Sequence, residues 1–231
     1  MALLLNIDTA TEHASVCLSK DNLVLHELHS PDQKNHASFI QSAINELVRI
    51  AGIALKDIDA IAVSAGPGSY TGLRVGMSTA KGLCYALNKP LILVNTLQVI
   101  ASSAIHYFTG KDETLNASTL ICPMIDARRM EVFTAVYNKD LLEVVSPVAM
   151  ILDSTSFSTI LQQHKVIFCG SGVQKAPSAF THENAVFITL QHSAKDMVIL
   201  AANAYTVRHF ADIAYSEPFY LKEFFSPAPK A

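Results

Sequence analysis

The chain has 231 residues, half of them apolar and 16% charged, with a formal charge of −3. A chain of this make-up buries a real core, as one large domain or two small lobes. It lacks the surplus of cations shown by proteins that grip nucleic acid unaided. No run approaches membrane-spanning length, and the opening MALLLNIDTA is too short and lacks the basic start of a signal peptide. Cys17, Cys84, Cys122 and Cys169 sit at no metal or redox spacing, which predicts buried, reduced thiols in a cytoplasmic protein.

In chain order, LLLNID, ASVCLSK and LVLHELH read as three short strands with turns at Glu12–His13 and Asp21–Asn22. HASFIQSAINELVRIAG follows, with Phe39, Ile40, Ala43, Ile44, Leu47, Val48 and Ala51 at helical spacing and Gly52 as the stop. A buried strand, DAIAVSA, runs into GPGSYTGLRVG and a helix to about Leu87. LILVNT is the next strand, and a helix from about Leu97 to Tyr107 closes this half. The polar stretch TGKDETLNAS, Thr109 to Ser118, is the linker candidate. Beyond it the order restarts with TLICPMID, EVFTAVYN and LLEVVSPV, then a helix at about Thr155 to His164, strands VIFCG and AVFITL, and a last helix in SAKDMVILAANAYTVRHF.

The two halves match beyond hydrophobicity. Ile7-Asp8 aligns with Ile125-Asp126, Lys20-Asp21 with Lys139-Asp140, and Ser30-Pro31 with Ser146-Pro147, which favours an internal duplication. Two lobes of β-β-β-α-β-α order, each with an Asp ending its first strand, resemble the α/β two-lobed ribonuclease-H-like fold of the actin-like ATPases (ASKHA). Residues 1–108 and 119–231 are the expected lobes. In that fold the paired acids hold Mg²⁺ or its waters against nucleotide phosphates.

The glycine segment satisfies neither the P-loop pattern, having no Gly-Lys-Ser/Thr in register, nor the dinucleotide pattern, because Thr71 stands where a third glycine is required. What it has is a small residue every four positions: Gly68, Gly72, Gly76, Ala80 and Cys84. Glycine inside a helix costs about 1 kcal/mol relative to alanine, so the row needs a compensating close approach. Either the helix packs tightly on its own sheet, or the row joins the apolar face of the helix over 36–52 as a docking surface for a partner. Ser69 or Thr71 would cap the helix.

IDTAT (Ile7 to Thr11), GPGSYTGLRVG (Gly66 to Gly76), PMIDARRMEVF (Pro123 to Phe133), GSG (Gly170 to Gly172) and PFYLK (Pro218 to Lys222) together resemble the TsaB family, also called YeaZ, over nearly the whole chain. The resemblance implies a role in making threonylcarbamoyladenosine (t6A), the modified base beside the anticodon of tRNAs reading codons that begin with adenine. There a TsaD-type transferase, helped by TsaB and a TsaE-type ATPase, moves the threonylcarbamoyl group to the adenosine N6. TsaB is the non-catalytic partner and pairs through its first two helices, here 36–52 and 69–87. tRNA is reached only through the complex, and a homodimer through the same face is expected when the chain is alone. Phe39, Ala43, Leu47, Gly72, Gly76 and Ala80 are the expected partner contacts. The chain departs from the family pattern at Tyr70, where Phe is usual, at Lys222, where Arg is usual, and at Ala37-Ser38, where Ser-Glu is common.

The competing reading is an enzyme acting alone, an ASKHA-type ATPase or an M22-like metallopeptidase. The catalytic paralogue grips metal with His-x-x-x-His on a helix, but here His36 is followed at that spacing by Ile40. The remaining histidines, His192 among them, have no ligand spacing and read as solvated or capping, so neither metal nor cofactor is expected. Asp8, Asp126 and Arg128 mark a vestigial nucleotide site, or one shared at a subunit seam. Alternatively, the acids cap the turns after them, with Arg128 and Arg129 neutralising Asp126 or binding a partner's phosphate.

Overall fold

The computed structural model describes residues 2–30, 35–111 and 115–222. Two five-stranded sheets share one topology. The first is ordered β3-β2-β1-β4-β5, from β1 (Leu3–Asp8), β2 (Ser15–Lys20), β3 (Leu23–His29), β4 (Ala60–Gly66) and β5 (Leu91–Asn95). The second repeats it as β8-β7-β6-β9-β10, from β6 (Leu120–Asp126), β7 (Glu131–Tyr137), β8 (Glu143–Ile151), β9 (Val166–Cys169) and β10 (Ala185–Ile188). In each, three antiparallel strands are followed by two parallel ones, which is the duplicated ribonuclease-H-like architecture of the ASKHA fold.

The central strands β1 and β4 are apolar apart from Asn6, Asp8 and Ser64 and are buried along nearly their whole length, because both their faces are covered. Leu5 and Ile7 of β1 pack on one side with Ile40, Ala43, Ile44 and Leu47 of α1 (His36–Ala51) and Met77, Ala80 and Cys84 of α2 (Tyr70–Leu87). Leu4 faces the other way, toward Val99 of α3 (Thr96–Thr109) and Ala201 of α6 (Val198–Thr206). Since α3 also packs Leu97, Ile100, Ala101 and Ala104 on the second sheet through Ile121, Ile125 and Tyr137, it is buried nearly all round. A helix apolar on every face belongs in such a middle layer. The last helix of the first half thus serves both sheets, the last helix of the second half packs on the first sheet, and the half-boundary over 109–118 separates the sheets more cleanly than it separates the packing.

Among the described residues the second half has only single helical turns where the first half has α1 and α2. The helix expected at about 155–164 is a single turn, α4 (Ser158–Leu161), and after β9 come a 3-10 segment (Ser171–Lys175) and another single turn, α5 (Ala176–Ala179). A cluster of aromatic rings, Phe157, Phe168, Phe180 and Phe187, fills that face instead. The Ser-Pro match does not carry through: Ser146 and Pro147 lie inside edge strand β8, Ser30 follows the end of β3, and Pro31 falls outside the described residues, as does 223–231 of the second half. Proline is tolerated on an edge strand because its missing N–H faces solvent.

All four cysteines are buried and unpaired with one another. Burial pushes the Cys17 and Cys122 thiols up to about 12 and that of Cys84 up to about 11, so they are not nucleophiles near neutrality.

Candidate partner face and inter-lobe cleft

Two of the sequence motifs form one physical unit. The turn after β1, Asp8 to Thr11, seats the first turns of α2: the Ser69 N–H donates to the Ala10 carbonyl at 2.7 Å, and the Thr9 hydroxyl donates to the Gly72 carbonyl at 2.7 Å. Ser69 caps α2 by accepting from the Gly72 N–H. A Cβ on Gly68 would strike the Ala10 carbonyl, one on Gly72 the Thr9 carbonyl, and one on Gly76 the Thr9 hydroxyl. The small-residue row is therefore spent inside its own half, where it lets α2 lie against the β1 turn.

That corrects five of the six expected partner contacts. Ala43, Leu47, Gly72, Gly76 and Ala80 are all buried in the core beneath α1 and α2, and only Phe39 is partly exposed. Helical spacing fixes that small residues share a face but not which neighbour the face meets. The outward residues of the two helices include Ala37, Ser38, Gln41, Ser42, Asn45, Arg49 and Ile50 on α1 and Thr71, Arg74, Ser78, Gly82, Tyr85 and Ala86 on α2, with Val75 and Thr79 partly buried.

Asp8 sits at the end of β1, 1% exposed, with His192 beside it at 6%. Its Oδ1 accepts from the Ser64 hydroxyl at 2.7 Å and the Ala10 N–H at 3.0 Å, while Oδ2 lies 3.2 Å from His192 Nε2 in an ion-pair contact that is off hydrogen-bond geometry. Burial alone would raise the Asp8 pKa, but the His192 charge and these bonds outweigh it and hold the carboxyl below its ordinary value. Burial likewise works against the imidazolium, and Asp8 outweighs that, so the His192 pKa is raised. A histidine from the far end of the chain stands as the counter-cation of this acid. His192 is thus neither solvated nor a cap, contrary to the expectation from its spacing.

The segment carrying His192 is itself pinned to the first half. Ala194 N–H donates to the Ser15 hydroxyl, and Asp196, 2% exposed, pairs with His106 at 2.8 Å. His36 places Nε2 3.2 Å from the Glu12 carbonyl. Among the described residues no group of three or more His, Cys, Asp or Glu side chains is arranged to hold a metal.

Asp126, the matching acid, is half-exposed and solved differently. Its carboxylate pairs with Lys175 Nζ at 2.8 Å and accepts the Arg128 N–H at 2.6 Å, and its own N–H bonds the Ser171 hydroxyl. Burial alone would raise its pKa, but the Lys175 bond brings it below the usual value. The side chain that neutralises Asp126 is Lys175, while Arg128 contributes only backbone. Arg128 and Arg129 form the β6–β7 turn in left-handed conformations, φ 70° and 46°, with both side chains exposed.

Between the halves lies a cleft of about 790 Å³ whose walls include Tyr70, Arg128, Arg129, Phe133, Phe219 and Tyr220. The terminal PFYLK segment forms one wall. The Phe219 N–H bonds the Ala65 carbonyl at 2.6 Å, and Lys222 reaches across to Glu131 at 2.6 Å. Gly66, at φ 114°, has no room for a side chain because the Phe219 carbonyl occupies that place. The peptide bond from Gly66 to Pro67 is cis.

The family model described as TsaD, tRNA N6-adenosine threonylcarbamoyltransferase, matches residues 26–224. Two-lobed proteins of this threonylcarbamoyltransferase type are the class to which fold and sequence assign the chain. The Escherichia coli (strain K12) tRNA threonylcarbamoyladenosine biosynthesis protein TsaB is 30% identical over 227 residues, covering 95% of this chain and 94% of its own. The Bacillus subtilis (strain 168) TsaB is 35% identical over 146 residues, 62% of this chain and 59% of its own length. YeaZ from Pseudomonas aeruginosa superposes with a TM-score of 0.81 at 26% identity, over 96% of this chain and 100% of the other. The chain belongs to the TsaB family.

Proposed function

We propose that this chain is the non-catalytic partner of a TsaD-type transferase in tRNA threonylcarbamoyladenosine synthesis. It docks through the outward face of α1 and α2 and stabilises the transferase's working shape. The observation that carries this reading is the state of the two strand-end acids. An ATPase of this fold needs them open to a metal or its waters, whereas Asp8 is consumed by His192, Ser64 and the Ala10 N–H, and Asp126 is held by Lys175. The face over α1 and α2, by contrast, sets small side chains such as Ala37, Ser78 and Gly82 around the exposed Arg74, an arrangement suited to close contact. Within this reading a TsaE-type ATPase joins the pair, tRNA is met only through the complex, and the setting is the cytoplasm. No helix among the described residues is long and apolar enough to cross a membrane.

The purified chain alone should hydrolyse neither ATP nor peptide above the blank. With TsaD-type and TsaE-type proteins, tRNA and threonylcarbamoyl-AMP, modified adenosine should form, and omitting the chain should abolish it. Turnover by the chain alone would revive the enzyme reading. Ser78→Glu, which puts a charge on the outward face without touching the core, should stop co-elution with the transferase while leaving the melting temperature unchanged.

A further inference from the structure

Arg74 is held in an unusual way for an exposed residue. Its guanidinium carbon lies 4.1 Å over the centre of the Tyr70 ring, and its Nε donates to the Tyr220 hydroxyl at 3.2 Å. Tyr70 and Tyr220 in turn pack ring against ring, centroids 5.3 Å apart and inclined by 35°. A long flexible side chain is thereby fixed at both its face and its edge. No carboxylate among the described residues pairs with it; the acid whose charge it feels is the exposed Glu217. With Nε engaged, its two terminal nitrogens remain as donors. Arg74 lines a groove of about 520 Å³ together with Tyr70, Ala37, Gln41, Val75 and Ser78, and among the described residues it is the only charged side chain there.

A guanidinium stripped of rotamer freedom before binding loses less entropy when it meets a carboxylate, and its fork geometry suits two parallel bonds. We propose that Tyr70 and Tyr220 preset Arg74 as the carboxylate-reading group of the docking face. Its occupant is a segment of the partner chain that carries an acid flanked by small apolar side chains. Charge complementarity favours a different chain over a second copy. α1 and α2 contain Arg49, Arg74 and Lys81 but only one acid, Glu46, which is already bonded to Arg49 at 2.6 and 2.8 Å. A two-fold pairing would set this cation-rich face against itself. The inference rests on the docking reading above, and Tyr220 is a positioning residue in it.

Isothermal titration of the full chain with a TsaD-type transferase, at low and moderate salt, tests this. Arg74→Ala should weaken binding about 30-fold, and Arg74→Lys, which keeps charge without the fork, about 10-fold. Tyr220→Phe, which removes only the hydroxyl, should cost about 5-fold in the native background and nothing further beside Arg74→Ala, because it acts through Arg74. Matching thermal melts exclude misfolding. Unchanged affinity of Arg74→Ala, or an additive Tyr220→Phe effect, overturns the proposal. If Ser78→Glu stops binding while Arg74→Ala does not, docking stands and the arginine role falls; if Ser78→Glu binds normally, the docking reading itself falls and takes this one with it. Loss of self-association in Arg74→Ala at unchanged transferase affinity would make a second copy the occupant and also overturn it.

Discussion

Replacing His192 with alanine is expected to destabilise the chain by about 3 to 5 kcal/mol near pH 6, the usual range for removing one member of a buried ion pair. The cost arises because Asp8, 1% exposed, would be left with the Ser64 and Ala10 bonds but no counter-charge. The pH dependence has two edges. His192 has a raised folded pKa, so its contribution is complete below its ordinary value of 6.5 and is lost as pH rises through the raised value. Asp8 has a lowered folded pKa, so its contribution is complete above its ordinary value of 3.8 and is lost as pH falls through the lowered value. The difference between native and His192→Ala proteins should therefore be widest from about pH 4 to 6.5 and narrow on the alkaline side. Urea unfolding from pH 4 to 9 measures it. A variant within 1 kcal/mol of the native protein across that window would mean that the pair does not neutralise the strand-end acid, and the argument against a metal-binding Asp8 would lose its basis.

The pairing also explains what could be read from the sequence. Strand and helix order along the first half, the duplicated sheet topology and a polar cap for α2 at Ser69 or Thr71, which the structure gives to Ser69, are consequences of local periodicity and turn chemistry, and they lie open in LLLNID, HASFIQSAINELV and GPGSYTGL. The partners of the acids are not local. His192 meets Asp8 across the whole fold, Lys175 comes to Asp126 from a 3-10 segment whose GSG opening does not say which acid it will meet, and Tyr220 reaches Arg74 from 146 positions away. Adjacent arginines beside Asp126 suggested neutralisers, yet the left-handed turn at Arg128 and Arg129 leaves only the Arg128 N–H on the carboxylate. The helix expected at 155–164 shrinks to one turn because three phenylalanines, Phe157, Phe168 and Phe180, pack as a ring cluster that a straight helix there would not provide. The small-residue row was legible as a close approach. Its neighbour was not, since spacing alone does not say whether IDTAT or another protein lies opposite.

Three glycines of α2 turn that last ambiguity into a measurement. Gly72→Ala should destabilise by about 3 kcal/mol, because its methyl meets the backbone carbonyl of Thr9, which moves only if the β1 turn moves. Gly76→Ala should cost about 2 kcal/mol, since the group it meets, the Thr9 hydroxyl, can rotate only by giving up its bond to the Gly72 carbonyl. Gly82→Ala should stabilise by about 1 kcal/mol: it is exposed, nothing lies within 4 Å of its added carbon, and alanine is the better helix former. One substitution in one helix thus carries opposite signs. The unfolding midpoints of the three variants read them directly. If the row faced a partner, Gly72→Ala and Gly76→Ala would instead behave like Gly82→Ala when alone, gaining stability, and would lose only their affinity for the transferase. Packing against Thr9 predicts the reverse order of events: stability falls in the isolated chain, and docking suffers only as far as α2 is displaced and carries Arg74 with it.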